Sequence, residues 1–499
     1  MRRHLVTKGS FYERLADHGH EIVGDDDFAH LYSSRVGRPS IPPSVMVRAM
    51  LCATNDKTSD AETSRRTRVD ADWKAAMGVD DEFEGIAATT FSLMRARMIA
   101  ADAENTLLKA TLAKAVEAGI FKESLTAIID SSPVVGAGAV ADTYELISGY
   151  LRQVIRVGGQ RLSPETHEAA DRFCGAKPDI DWHDAPARKA HLGAVVGVAR
   201  EVVAEVDALG DDDPMAGPAA LLAQVVDQDI EVGEDGEPQI RQGVARDRVV
   251  SVSDPEMRHG RKSASRRFDG HKMDVMTDEH SEMILGVDVR AGNAGDGEGA
   301  APLLEGVQHT PGVEVTTLLG DMAYSDGDVR AAVEDLGAEL VAKVPPLTNS
   351  GRFTRDEFFI EPDQVTCPAG EVTTDVRLTK DHKGRPAFVF VFADEVCADC
   401  PLRSECTAGK GGRTITIGPH HDRIETARAA QDEPETKALL RRRAKVERKI
   451  DHLQDLGMRK ARYKGRRKTR LQAVFAATVA NIKRLDVLGA FAGATLATG

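Results

Sequence analysis

The chain is poor in aromatics, poor in cysteine and without long apolar runs, and each shortage removes a class of protein. Aromatics are 5% of 499 residues, yet a hydrophobic content of 41% still supplies a sizeable aliphatic core. No apolar stretch approaches the roughly 18 to 20 residues that span a bilayer. Met1-Arg2-Arg3-His4 leads into polar sequence, so no signal peptide is expected. Six cysteines are too few to staple so long a chain as a disulfide scaffold, which points to a reducing, cytoplasmic setting. No glycine-rich loop follows any predicted strand, which argues against an α/β enzyme that cradles a nucleotide's phosphates. There is no internal repeat and no long low-complexity tract. The length suggests two or three packed units.

The formal net charge of −14 by itself disfavours a nucleic-acid partner. Where the cations cluster matters more than the total. Between Ala438 and Arg470 stand fourteen Lys or Arg against three acids, Glu447, Asp451 and Asp455. Arg258 to Lys272 holds six basic residues against Asp269. The acids gather elsewhere, as in Gly24-Asp25-Asp26-Asp27. One charge run alone is as readily a solvated surface. Two basic stretches in an acidic chain point to an anionic partner.

Residues 1–120 carry helical spacings: Pro42-Pro43 opens one pattern, Ser59 or Asp60 can cap the next, and Thr89-Thr90 precedes a third. Leu125 to Ile129 is a short, β-branched apolar run ending in Asp130, which predicts a buried strand with Asp130 at its C-terminal end. Two helical stretches near Arg188–Leu209 and Ala216–Val226 lie within an expected insertion over 145–245. Strand patterns resume at Val249–Ser253, His271–Thr277 and Met283–Arg290. A helix around Ala300–Gln308, a strand Glu314–Gly320 delivering Asp321, a helix Asp326–Gly337 and a strand Ala338–Val344 follow. A single strong helix is expected over about 432–456, with Leu439, Val446, Ile450 and Leu453 on one face and Glu447 bordering it. The order describes an α/β unit with carboxylates at strand ends.

Asp130, Asp321 and Glu447 suit phosphodiester chemistry. Two hard divalent cations can activate a nucleophilic oxygen, stabilise the leaving oxygen and screen phosphate charge. Mg²⁺ takes oxygen ligands, so two or three carboxylates and the substrate phosphate suffice. Each acid also has a plainer account, since a strand-end Asp is commonly a turn or cap residue. Glu447 can simply pair with Arg443 along a helix. Asp142, Asp288, Asp296 and Asp328 are competing acids, and Asp326 and Asp328 sit where a helix start calls for a cap.

Local context narrows the choice. Gly37-Arg38-Pro39 through Pro43, Ile129-Asp130-Ser131-Ser132, Ser253-Asp254-Pro255-Glu256 and Phe268 to Lys272 resemble, in order, segments of the DDE transposases of bacterial insertion sequences. So do Gly320 to Tyr324, Arg442 to Arg448 and Asn481 to Leu485. The resemblance lies within the IS-four-like group, nearest its eleven-eighty-two branch, and covers most of the chain except roughly 145–245. It implies a ribonuclease-H-like catalytic core with Asp130, Asp321 and Glu447 as catalytic acids. It further implies two Mg²⁺ ions, double-stranded DNA as element ends and target, and a homodimer on DNA. The family's pattern has a Tyr and a Lys where Leu440 and Gln454 stand here, and a Tyr where His271 stands. These departures bear on Lys272 and Arg443, which the resemblance makes phosphate contacts. A nuclease of the same fold and a non-catalytic DNA-binding relic are the alternatives.

The expected division is an N-terminal helical, DNA-binding domain over 1–120, a core over 121–144 and 246–347, and a helical insertion over 145–245. A cysteine-containing insertion over 348–430 precedes a C-terminal helical part of the core over 431–490. Cys367, Cys397, Cys400 and Cys406 include one C-x-x-C pair and are candidate ligands of a tetrahedral Zn²⁺ site. The alternative is four reduced thiols packed as small apolar groups. Cys52 and Cys174 read as structural. Arg459, Lys460, Arg462, Lys464, Arg466, Arg467, Lys468 and Arg470 follow the Glu447 helix and are expected to contact DNA phosphates.

Overall fold

The computed structural model describes residues 6–32, 40–175, 179–262, 265–381 and 383–491. Met1 to His4 and the Gly37-Arg38-Pro39 part of the N-terminal motif lie outside the described residues. A central sheet contains six strands: β1 (Leu125–Val135), β2 (Arg258–Arg261), β3 (Arg267–Asp278), β4 (Ile284–Ala291), β5 (Val315–Leu319) and β6 (Glu339–Val341). Its path is β2–β3–β1–β5–β6, with β4 also paired to β3. β3 runs antiparallel to β1 and β4, while β1, β5 and β6 are parallel. Leu125, Ala127, Ile128 and Ile129 are buried, as an apolar β-branched run requires.

Several expectations change. β1 does not end at Asp130: Ser131, Ser132 and Pro133 continue the ladder opposite Asp274, Met273 and Lys272. Turn-like residues are held extended there by a partner strand. Val249–Ser253 forms no strand, because the Gln228 side chain takes the place of one. Its amide donates to the Val249 carbonyl at 3.0 Å and its oxygen accepts from the Val249 N–H at 2.8 Å. The helix expected over 432–456 is broken into Pro434–Arg442 and Lys445–Leu453, followed by a π turn Gln454–Met458. The first piece packs near β6 and the second against β1 and β3, so the chain turns between them. Gly457, at φ +104°, supplies the left-handed residue that closes the π turn.

The N-terminal caps follow side-chain chemistry. Ser59 accepts the Glu62 N–H and caps Asp60–Val69. Thr89-Thr90 lies inside the helix Ala88–Ala100 rather than before it, and that helix starts at Ala87 without a side-chain cap. Trp73, Leu107, Ile128, Leu318 and Phe475 belong to one buried apolar cluster, so the N-terminal helices, the sheet and the helix Arg466–Val487 share a core. Asn481 ties the three together, donating to Thr111 Oγ1 at 3.0 Å and bonding both backbone groups of Ile284. Residues between Leu146 and Val249 form a second cluster, and Phe358, Val365, Phe390, Phe392 and Ile415 a third. Among the described residues no helix is long and apolar enough to cross a membrane.

Arg330 locks the region behind Asp321. Its guanidinium is 4% exposed and donates to the carbonyls of Ser325, Leu340 and Ala342 at 3.2, 2.8 and 2.6 Å. Replacing Arg330 by Met strands three carbonyls, and the expected loss is about 3 kcal/mol. A thermal melt of the metal-free protein checks it, and an unchanged midpoint contradicts it.

Candidate active site

Asp130 and Asp321 meet through strand register. Ile128 on β1 pairs with Leu319 on β5, and each acid lies two residues beyond its member of that pair. Parallel strands in register therefore bring the two acids to neighbouring positions. Asp321 begins the short turn Met322–Tyr324, where its Oδ1 accepts the Ala323 N–H at 2.8 Å. Gly320 permits this turn, since a Cβ there would stand 2.9 Å from Tyr324 Cβ. Asp130 Oδ1 accepts the Ser131 N–H at 2.7 Å.

Glu447 lies in the first turn of the helix Lys445–Leu453 and is 59% exposed. Arg443 connects it to Asp130: Nη1 lies 3.5 Å from Asp130 Oδ2 and Nη2 lies 3.6 Å from Glu447 Oε1. Burial raises the Asp130 carboxyl to about 6. The Ser131 amide and Arg443 oppose that rise, while the charges of Asp321 and Glu447 add to it. A divalent cation would relieve this crowding of negative charge, and three carboxylates are the donor set that Mg²⁺ or Mn²⁺ takes. Among the described residues no three His, Cys, Asp or Glu stand close enough to hold an ion. Asp321 is near enough for its charge to raise Asp130, and Glu447 leans on Arg443.

Behind the strand lies a polar layer that the sequence reading did not assemble. Lys272 is 8% exposed and lies 2.7 Å from Asp296 Oδ1, which also accepts the Ser131 hydroxyl at 2.7 Å. Arg290 grips both oxygens of the buried Asp274. Tyr324 is fully buried and its hydroxyl has no hydrogen-bond partner among the described residues. Burial raises the Tyr324 phenol, and Asp274, Asp130, Asp296 and Asp321 push it further. The signal was present in β3, where Lys272 and Asp274 stand two residues apart on one face and are both buried. Among the competing acids, Asp142 and Asp326 cap helices, Asp288 pairs with Arg470, and Asp328 pairs with Lys383, Arg385 and His420.

Several cations of the basic segment are already engaged. Arg462 donates to the Thr58 carbonyl and Arg466 meets Glu256 at 3.0 Å. Arg467 holds Asp102 and Glu104, and Arg470 lies 3.1 Å from Asp288. Arg459 lies 3.6 Å from the exposed Asp455. Lys460, Lys464 and Lys468 are exposed and form no ion pair among the described residues. In the third cluster, Cys367, Cys397 and Cys406 pack against Phe358 and its neighbours. Burial raises the Cys406 thiol, and the charges of Cys397, Cys367 and Cys400 add to the rise against Arg413. The Arg413 N–H donates to Cys397 Sγ at 3.3 Å. Cys52 is buried, and the Cys174 thiol donates to the Ala170 carbonyl at 3.3 Å.

Two stretches match known families. Residues 1–97 match the description "Transposase domain (DUF772)", and residues 366–486 match "Transposase DDE domain". No curated protein and no solved structure matches the chain. The second match contains Glu447 and the four clustered cysteines. Neither match reaches Asp130 or Asp321, which rest on the geometry above.

Proposed function

We propose, on the premise that this chain is a DDE-type transposase, that it cleaves DNA at the ends of an insertion sequence and joins them to target DNA. We place it in the IS-four-like group, nearest the eleven-eighty-two branch. Asp130, Asp321 and Glu447 are the catalytic acids, and the parallel register that ends at Ile128 and Leu319, two residues before each Asp, carries this reading. Two divalent cations, when bound, supply the activation of the attacking oxygen and the screening of phosphate charge. Asp130 and Asp321 offer carboxylates fixed by backbone N–H groups, so their orientation precedes DNA binding. Glu447 is the exposed third acid, on a helix end that carries no side-chain cap. Arg443 balances charge between Asp130 and Glu447.

DNA follows the basic segment. The unpaired Lys460, Lys464 and Lys468 carry the phosphate contacts, and the paired arginines hold the segment in shape. Replacing all three lysines by alanine is expected to lower the slope of log affinity against log salt by about 2 to 3. Filter binding across a salt series measures it; an unchanged slope places the DNA elsewhere. In the cysteine lobe, Cys367, Cys397, Cys400 and Cys406 would hold one zinc only by closing on it, since among the described residues no three stand close enough to hold an ion. Metal analysis of freshly purified protein is expected to give about one zinc per chain. A stoichiometry well below that leaves four reduced thiols.

A pair of chains brings two element ends together. The test separates transposition from simple cutting: an element-end duplex, an acceptor plasmid and Mg²⁺ are incubated with the protein. Covalent joining of the cleaved 3′ end to the plasmid is the expected product. Cleavage without joining identifies a nuclease and sinks the proposal.

A further inference from the structure

Side chains alternate along β1, so Asp130 and Ser132 share one face and Ser131 points to the other. Ser131 is gripped from both sides. Its N–H donates to Asp130 Oδ1 at 2.7 Å, while its hydroxyl donates to Asp296 Oδ1 at 2.7 Å. Lys272 fixes Asp296 in turn, from 2.7 Å, and donates to the Ala294 carbonyl at 2.6 Å. Arg290 adds bonds to the carbonyls of Gly295 and Asp296 at 2.7 and 3.2 Å. The turn bearing Asp296 is thus pinned by two cations from β3 and β4. Burial pushes the Asp296 carboxyl up, but Lys272 and the Ser131 hydroxyl outweigh it and hold it below the usual range. Asp296 therefore stays ionised and keeps accepting.

Packing alone does not call for this arrangement. Aliphatic residues at 131 and 272 would fill a strand face without the cost of burying a hydroxyl and an ammonium. The chain instead runs from Lys272 through Asp296 to the one residue whose amide orients Asp130. We propose that Lys272, Asp296 and Ser131 form a positioning relay that fixes the Asp130 carboxylate for a divalent cation from behind the sheet. This rests on the reading of Asp130 as a metal-binding acid. It also gives Lys272 a role other than DNA contact, since its ammonium is committed to Asp296 and Ala294. A purely structural role, in which the network only anchors the Asp296 turn to the sheet, would change stability and leave metal affinity alone.

The test is Mn²⁺ titration of the DNA-free, full-length chain by calorimetry, with a melting temperature taken for every variant. Ser131→Ala and Asp296→Asn are expected to weaken Mn²⁺ binding by about tenfold or more, as loss of an outer partner of a metal ligand does. Ser131→Thr keeps the hydroxyl and is expected to bind as the wild type does. Asp321→Ala serves as the reference for losing a ligand outright. If Asp321→Ala weakens binding while folded Ser131→Ala and Asp296→Asn titrate like the wild type, the relay is wrong and the metal site stands. If Asp321→Ala itself titrates like the wild type, the metal site fails and the relay with it. Should Ser131→Ala not fold, Asp296→Asn measured beside Ser131→Thr decides: weakened binding in the former alone supports the relay, and wild-type binding in both overturns it.

Discussion

Asp321→Ala is expected to abolish cleavage at an element end in Mg²⁺, with a rate loss of about a thousandfold or more, while gel retardation of the same duplex stays near the wild-type level. The magnitude follows from the role. Asp321 would hold the cation that supplies charge screening and nucleophile activation, and each is worth several kcal/mol of barrier. Binding persists because phosphate contacts come from other residues, foremost the exposed Lys460, Lys464 and Lys468. Asp130→Asn should behave alike, since both acids lie two residues past the last pair of the β1–β5 ladder. Glu447→Gln keeps the size of the side chain and removes its charge, so a loss there reports chemistry rather than folding. Retained cleavage in any of the three removes that acid from the site.

The second large effect concerns pH. The Asp130 carboxyl is raised to about 6 from an ordinary value of 3.8. Metal and proton compete for it, so below about pH 6 the half-saturating Mg²⁺ concentration is expected to rise about tenfold for each pH unit. Above that value the dependence should flatten. The same shift has a stability consequence of fixed sign. A folded-state pKa above the unfolded one contributes stability that is fully present below about pH 4 and lost as pH rises through about 6. Metal-free wild type should therefore be less stable than Asp130→Asn at pH 7.5, by an amount on the order of 2 kcal/mol. Adding Mg²⁺ should close the gap, because only the wild type gains a bound cation. Melting curves with and without Mg²⁺ test both signs. A metal-free Asp130→Asn that melts at or below the wild type contradicts the account.

Much of the sheet was readable because its strands are short apolar runs with β-branched residues. The runs ending at Ile129 and Leu319 gave both strands, and the helix at Ala300–Gln308 came out at its expected bounds. The continuation of β1 through Asp130, Ser131, Ser132 and Pro133 was not readable, since those residues favour turns in isolation and only β3 holds them extended. Gln228 standing in for a strand at Val249 is likewise a tertiary fact, invisible to periodicity. The break after Arg442 was hidden because the apolar spacing runs through it without interruption.

The candidate site divides along the same line. Asp130 and Asp321 were legible as acids beside apolar strands, and parallel register makes them neighbours. Sequence context places Arg443 near a phosphate, and what it does not show is that the guanidinium also lies between Asp130 and Glu447. Arg466 and Arg467 looked free in a basic run, yet they pair with Glu256, Asp102 and Glu104, hundreds of residues away. Local charge counting sees cations and not their distant partners. Lys272 was read as a DNA contact for the same reason, and its burial against Asp296 became visible only with β3 in the sheet.

The most direct measurement is a crystal structure of the chain soaked with Mn²⁺, with anomalous scattering used to locate the ion. A peak is expected between the Asp130 and Asp321 carboxylates, with metal–oxygen distances of about 2.0–2.2 Å and weaker occupancy when Glu447 is changed to Gln. Saturating Mn²⁺ with no peak beside Asp130 and Asp321 would contradict the proposed metal site.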